Sequence, residues 1–557
     1  MKRRLCIVGR FCLVGLVVVG ACGSQETKIK SLIRQLADED ISVRAEAIVE
    51  LGQIGKPAQA SVPALIKALS DENEVIRSNA AVTLGKIGDP TAVDALTRAL
   101  RDEYAGTRRH AAIALSLIGS PAAVPALADV LKDENVSNRR NAASALVILI
   151  QRNIRLVSLT EAVPVLIETL TDESVYVRRD AAWALELIRP PAAVSALMEA
   201  LKDEDAQVRA WAASALYKID ESKQDIVTPI LIDILNSDAF VNVEVASLLG
   251  TIGDPAAVPA LAAALSNDNE HYGVRGNAAN ALGRIGKPAQ AAVPALIKAL
   301  SDENEGVRGN ALAALGSIGE PAKAAVPVLI KALRDKDEWI QNGAARALGR
   351  IGDSAAVPAL TQALRSKNKV FCVNAASALC SVDESKRDIV IPVLIEILKD
   401  KDGKARVSAA SALYRIDKSK RDAAISVLIK ALDNKQIRSI TLATLREIAD
   451  PATAPVLIKV LKDENEPGRY NAAGALGKIG DPAAVPALID ALNGKDIGVR
   501  DSAAYALGQI GDSTAVPALS QILSDADRYL RATAAEALEK IGTPEAMKAV
   551  EEYRKTF

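Results

Sequence analysis

One period governs this sequence. A thirteen-residue pattern, VRxxAAxALGxIG, recurs from end to end, and its arginine position serves as an anchor. The anchors are Arg44, Arg77, Arg108, Arg139, Arg178, Arg209, Asn242, Arg275, Arg308, Gln341, Cys372, Arg406, Arg438, Arg469, Arg500 and Arg531. Successive anchors lie 31 to 34 residues apart, except for 39 between Arg139 and Arg178. Sixteen registrations without a gap override the several-domain expectation that 557 residues would otherwise raise. A unit this short cannot bury an apolar face alone, so each must pack on its neighbours.

The stretch from Asp481 to Gly511 shows what one unit is. Asp481 suits an N-cap and Pro482 the first helical position. Val485, Leu488, Ile489 and Leu492 then fall at i, i+3, i+4 and i+7, one face of a helix. Pro486 predicts that this helix starts kinked or late. Asn493-Gly494 breaks it, and a second helix carries Val499, Ala503, Ala504, Leu507 and Ile510 on its inner face until Gly511 stops it. The glycines of the pattern read as helix stops at fixed offsets. Aromatic residues make up only 3% of the chain against 49% apolar, so alanine and leucine must fill the core, which favours thin, closely packed helices. The fold class that follows is an all-α solenoid of about sixteen helical hairpins. Sixteen layers at 8–10 Å each would extend on the order of 140 Å.

The pattern resembles HEAT repeats, most closely the short subgroup named after phycobilisome lyases. The resemblance covers residues 27–542, with Pro544 to Lys555, within 543–557, as a capping helix. The TPLHxA signature of ankyrin repeats and the tryptophan-rich tetratricopeptide pattern are absent. The resemblance implies a ladder between repeats, built from a turn aspartate and an arginine early in the second helix. The pairs that match it are Asp71/Arg77, Asp133/Arg139, Asp203/Arg209, Asp302/Arg308 and Asp463/Arg469, six residues apart and structural in role. It also implies that partners bind on the concave, second-helix face.

Departures from the pattern mark candidate sites. Leu146-Val-Ile-Leu-Ile150 runs past the expected glycine into QRNIRLVSLT, and Pro190-Pro191 replaces the usual Gly-Asp-Pro. Trp183 and Trp211 sit five and two positions after their anchors, which places them on one stripe of neighbouring repeats. Arg109, Arg140 and Arg179 share one offset in three consecutive repeats and form a basic row beside them. Tryptophan and arginine are the types enriched where binding energy concentrates, so these five are the candidate partner-binding residues. Asn242, Gln341 and Cys372 replace the ladder arginine, with Trp339 two residues before Gln341, and predict a weakened ladder there.

Chemistry is hard to place on this chain. His110 and His271 are its only histidines and have no His or Cys at metal-ligand spacing. Glu270-His271 is a single pair in the wrong order for the His-Glu motifs of the HEAT-repeat iron hydroxylases that this architecture resembles. No P-loop, dinucleotide loop or G-x-S-x-G elbow occurs. Cys372 and Cys380, eight residues apart on one helix, would be separated by about 12 Å, too far to bridge. The expectation is no catalysis, no metal and no cofactor. With 68 basic and 69 acidic residues, no overall field attracts nucleic acid.

The N-terminus adds a setting. Lys2, Arg3 and Arg4 precede an apolar run from Phe11 to Gly20, the length of a secretory signal and too short to span a membrane. Val19-Gly20-Ala21-Cys22 resembles the lipobox of bacterial lipoproteins, with valine in place of the usual leucine. That resemblance implies a signal peptide over 1–21, lipidation of Cys22, a tether over 22–26 and a protein held outside the cytoplasmic membrane. Loss of Lys2, Arg3, Arg4 and Arg10 would take the formal charge from −1 to −5. The expected function is a monomeric scaffold of the cell envelope that binds protein or peptide partners. The alternative, from the subgroup's name, is a bilin-lyase-like protein acting on a tetrapyrrole carrier.

Overall fold

The structure, a computed structural model, describes residues 25–151, 161–237, 242–268, 270–525 and 527–556. The expected signal segment, Cys22 and the insertion at 152–160 lie outside them. The first helix runs over 25–35, so Gln25 and Glu26, expected in a tether, belong to it. Among the described residues every regular element is helical, and the helices alternate as the period predicts. Contacts group the chain into two compact units, Met1–Lys223 and Gln224–Phe557. The first unit holds six hairpins. The second holds ten, and its terminal helix Pro544–Thr556 packs on the last of them.

Each hairpin is built as its sequence dictates. In the fifteenth, the Asp481 side chain caps the Ala483 amide at 2.9 Å and a 3-10 turn over Pro482–Ala484 leads into the first helix, Val485–Leu492. That turn is how the chain accommodates Pro486: the α-helix begins late enough for the proline to fall in its first turn, where no amide is needed. The second helix, Ile497–Ile510, ends at Gly511 with φ 75°. Leu488, Leu492, Ala503, Ala504 and Leu507 are fully buried, while Ile489 and Ile510 are half-buried at the margin.

The pattern's two glycines do different work, which corrects the reading of both as stops. The last one ends the helix with positive φ; Arg189 (φ 56°) and Ala449 (φ 50°) hold the same conformation without being glycine. The one three residues earlier is a contact point. A Cβ on Gly85 would lie 2.7 Å from Ala114 Cα, one on Gly250 2.6 Å from Ala281 Cα, and one on Gly508 2.6 Å from Ala537 Cα. Glycine here sets how closely consecutive second helices approach. The pairs flanking Gly85, Gly283, Gly477 and Gly508 are the most closely packed, and within the second unit the pair flanking Tyr414, which stands at this offset, is the least.

Candidate functional site

The anchor arginines show how the turns are held. Arg77, 7% exposed, donates from Nη1 to the carbonyls of Asp71 (3.0 Å) and Glu72 (3.1 Å) in its own turn. Its Nε and Nη2 grip the carboxylate of Asp102 in the next turn at 2.7 and 3.0 Å. The carboxylate of Asp71 is taken by Arg44 of the preceding repeat, with Nη2 to Oδ1 3.1 Å. Four of the five six-residue pairs, all but Asp463/Arg469, meet through the aspartate's carbonyl, and where a rung closes it joins the arginine to the following repeat's aspartate. Arg139–Asp172, Arg178–Asp203 and Arg275–Asp302 repeat this geometry. Arg209 and Arg308 bond the carbonyls of Asp203 and Asp302 in the same way.

Closure of the ladder does not follow the anchor residue alone. Arg108 bonds the carbonyls of Asp102 and Glu103, both at 2.9 Å, but the Asp133 carboxylate accepts from Asn138 Nδ2 at 3.1 Å and Asn135 N at 2.9 Å instead. Asn138 stands where most repeats carry an apolar residue. In the fourteenth repeat Arg469 Nε turns to Leu461 O (2.9 Å), and the Asp463 carboxylate caps the Asn465 amide. The three substituted anchors each keep a turn carbonyl: Asn242 bonds Ser237 O (3.1 Å), Gln341 bonds Asp335 O, and Cys372 Sγ lies 3.1 Å from Ser366 O. Burial pushes the Cys372 and Cys380 thiols above their usual range, and both are free.

The five candidate partner-binding residues are gathered on the second helices of the first unit. Trp183 and Trp211 stack, ring centroids 5.2 Å apart and planes 17° from parallel. Both are half-buried. Arg140 lies over the ring of Tyr176 at 4.1 Å, and Arg179 approaches the same ring at 5.4 Å. Arg179 also donates to Gln207 Oε1 at 2.9 Å and has Asp180 Oδ1 at 3.5 Å. Arg109 and Arg140 line a cleft of about 500 Å³ whose apolar walls include Ile113 and Ile148. Tyr176, Ile113 and Ile148 escape a reading that attends only to tryptophan and arginine. Their signal was an apolar or aromatic side chain at an outward offset, two before, five after and nine after the anchor.

Acidic groups on this face are withdrawn. Asp180 and Glu186 are each 4% exposed; Asp180 takes a hydrogen bond from Ser144, and Glu186 accepts from Ser214 and pairs with Lys218. His110 Nδ1 sits 2.6 Å from Ser78 Oγ, and burial, then the charge of Arg109, hold its imidazole below the usual value. In the second unit Trp339, 44% exposed, lays its ring where a Cβ on Gly309 would fall, beside Arg346 and Arg350. His271 caps its own helix by accepting from Gly273 N at 3.1 Å. Among the described residues no group of three or more His, Cys, Asp or Glu is placed to hold a metal ion, and no helix is long and apolar enough to cross a membrane.

Comparison with known proteins agrees with this architecture. No curated protein matches the sequence. The structure of yeast importin-beta (Kap95p) is similar at 14% identity, covering 94% of this chain and 84% of that one, with a TM-score of 0.53. A second structure, of Kap95p inducing the switch loops of RanGDP to adopt the GTP-bound conformation, is similar at 15% identity with the same coverage and a TM-score of 0.50. At these identities the likeness is one of fold, an all-α solenoid. The model of the HEAT-repeat family matches residues 29–113, 89–148, 163–241, 228–294, 293–380, 425–507 and 485–556, and the chain belongs to that family.

Proposed function

We propose that this HEAT-repeat chain is a non-catalytic scaffold that holds protein or peptide partners on its second-helix face. One observation carries the reading: the polarity of its exposed apolar side chains. Among the described residues of the first unit all nine large apolar residues that are exposed stand on or cap second helices, including Ile41, Tyr104, Ile113, Ile148 and Tyr176. In the second unit seven of eleven do, including Tyr272, Trp339, Tyr470 and Tyr505. Exposed apolar groups scattered singly need no explanation, but their bias toward second helices, complete among the described residues of the first unit, does. Kap95p, whose fold this chain shares, binds RanGDP; for this chain the reading rests on the surface itself.

The test is crosslinking in intact cells from a photoreactive residue placed at Ile113 or Trp211, against placements at Val328 or Ile389 on first helices. Partner adducts from the second-helix positions alone are expected. Adducts from Val328 and Ile389 with none from Ile113 and Trp211 would overturn the assignment of the face. The setting we propose is the outer side of a bacterial cytoplasmic membrane, held by a lipid on Cys22, as its lipobox-like surroundings suggest. Cys22→Ala is then expected to release the protein from the membrane fraction without detergent.

A further inference from the structure

We infer that the first unit's site takes an extended acidic segment of its partner, with carboxylates at about every third residue, along the row Arg109, Arg140 and Arg179. The inference rests on the second-helix face being the binding face. The row's spacing sets the ligand's. Consecutive packed helices lie roughly 8–10 Å apart, and a chain in the extended polyproline II conformation advances about 3.1 Å per residue with about three residues per turn, so every third side chain of such a segment laid across the helices falls on the same side and meets an arginine.

The charge of the face is one-sided. The second helices Ala105–Ile118, Val136–Gln151 and Ala206–Ile219 contain no acidic residue. The two acids of Val175–Ile188, Asp180 and Glu186, are buried and already bonded. Asp205, at the edge, is spent on capping the amides of Gln207 and Val208. Arg140 and Arg179 bracket Tyr176, whose ring fixes where their guanidinium groups lie, so less side-chain freedom is lost on binding. The cleft beside Arg109 and Arg140 is walled by Ile113 and Ile148, which suits an aliphatic side chain between the carboxylates. That apolar wall favours a peptide over the phosphate backbone of a nucleic acid.

Anisotropy of labelled probes on the full chain tests this. The probes are a peptide of four Glu-Leu-Ser repeats, its Gln-Leu-Ser counterpart and a twelve-nucleotide oligothymidine. The glutamate peptide is expected to bind at least about tenfold more tightly than the glutamine peptide, about 1.4 kcal/mol, and to weaken steeply with salt. The charge-neutral triple variant R109Q/R140Q/R179Q should abolish that preference while its helical circular dichroism stays unchanged. K331Q with R334Q, at the end of a first helix and in the turn after it, should leave it intact. Equal binding of the two peptides, or arginine-dependent binding of the oligothymidine alone, overturns the inference. Crosslinks from Ile113 and Trp211 together with charge-indifferent peptide binding would leave the binding face standing and remove only its acidic ligand.

Discussion

Gly508→Ala tests whether the inner glycine sets the helix spacing. A Cβ at residue 508 would stand 2.6 Å from Ala537 Cα and 2.7 Å from Ala537 Cβ. Ordinary contact needs about 3.4 Å or more, so the helices Ile497–Ile510 and Arg528–Ile541 must part by several tenths of an ångström. Overpacking of this kind costs about 1–3 kcal/mol, against which alanine regains up to about 1 kcal/mol of helix propensity. The net expectation is a loss of about 1–2 kcal/mol, local to that interface because each repeat touches only its neighbours. Gly276→Ala is the control, since a Cβ there meets only Asn310 Nδ2 at 3.5 Å and Val307 Cγ2 at 3.9 Å. It should gain the propensity without the overlap and stabilise by about 0.5–1 kcal/mol. A sixteen-repeat array need not unfold in one step, so the assay is native-state hydrogen exchange, followed peptide by peptide. Faster exchange across 497–541 in Gly508→Ala, and slower exchange around 272–285 in Gly276→Ala, is the expected pair. Equal protection in the two variants would refute the argument, because the chemistry of the substitution is identical and only the neighbour differs.

Three further outcomes follow from the turns. Arg77→Met leaves the Asp102 carboxylate and two turn carbonyls without their donor, and should cost about 3 kcal/mol, read as raised exchange in the second and third repeats. The Arg275 guanidinium holds the Asp302 carboxyl below its usual range, so the pair's stabilisation is complete above about pH 4 and lost as pH falls through the depressed value. The stability gap between wild type and Arg275→Gln should therefore be constant from pH 7 to about 4.5 and close below that; a gap unchanged down to about pH 2 contradicts the linkage. Ala449→Gly, at φ 50°, relieves a left-handed alanine and should stabilise by about 0.5–1 kcal/mol, seen as slower exchange in Arg438–Ile448; no change would mean that the turn is unstrained.

The sequence made the hairpins legible because everything that defines one lies within about thirty residues: a capping aspartate, a proline, an apolar stripe and a terminal glycine. The stack of Trp183 on Trp211 was legible for a related reason, since their offsets differ by three and helices in consecutive repeats share a register. Properties that depend on two repeats at once were hidden. Arg108 and Arg77 look alike in the pattern, yet of the two only Arg77 closes a rung, and the Asp133 carboxylate that Arg108 would need is shared instead between Asn138 Nδ2 and Arg101 Nε at 3.7 Å. The inner glycine looked like part of a helix stop because its partner is an alanine about thirty residues away. Tyr176 went unnoticed because its meaning comes from Arg140 in the preceding repeat and Arg179 in its own.

These hidden features converge on the candidate site. At the inner-glycine offset the third to sixth repeats carry Ser116, Val147, Glu186 and Tyr217. The second-helix pairs of the first unit that flank Ser116, Val147 and Glu186 pack less closely than those flanking Gly85 or Gly508. The cleft between the third and fourth second helices, where Ser116 replaces glycine, measures about 500 Å³. The corresponding cleft beside Trp339, where Gly316 is retained, measures about 240 Å³. The same substitutions place Glu186 where it neutralises Lys218 without exposing a carboxylate. Loss of a packing glycine is thus not drift in a structural position alone. The wider cleft lies over repeats that also carry the arginine row, so the helix spacing there and the acidic ligand proposed for it bear on the same surface.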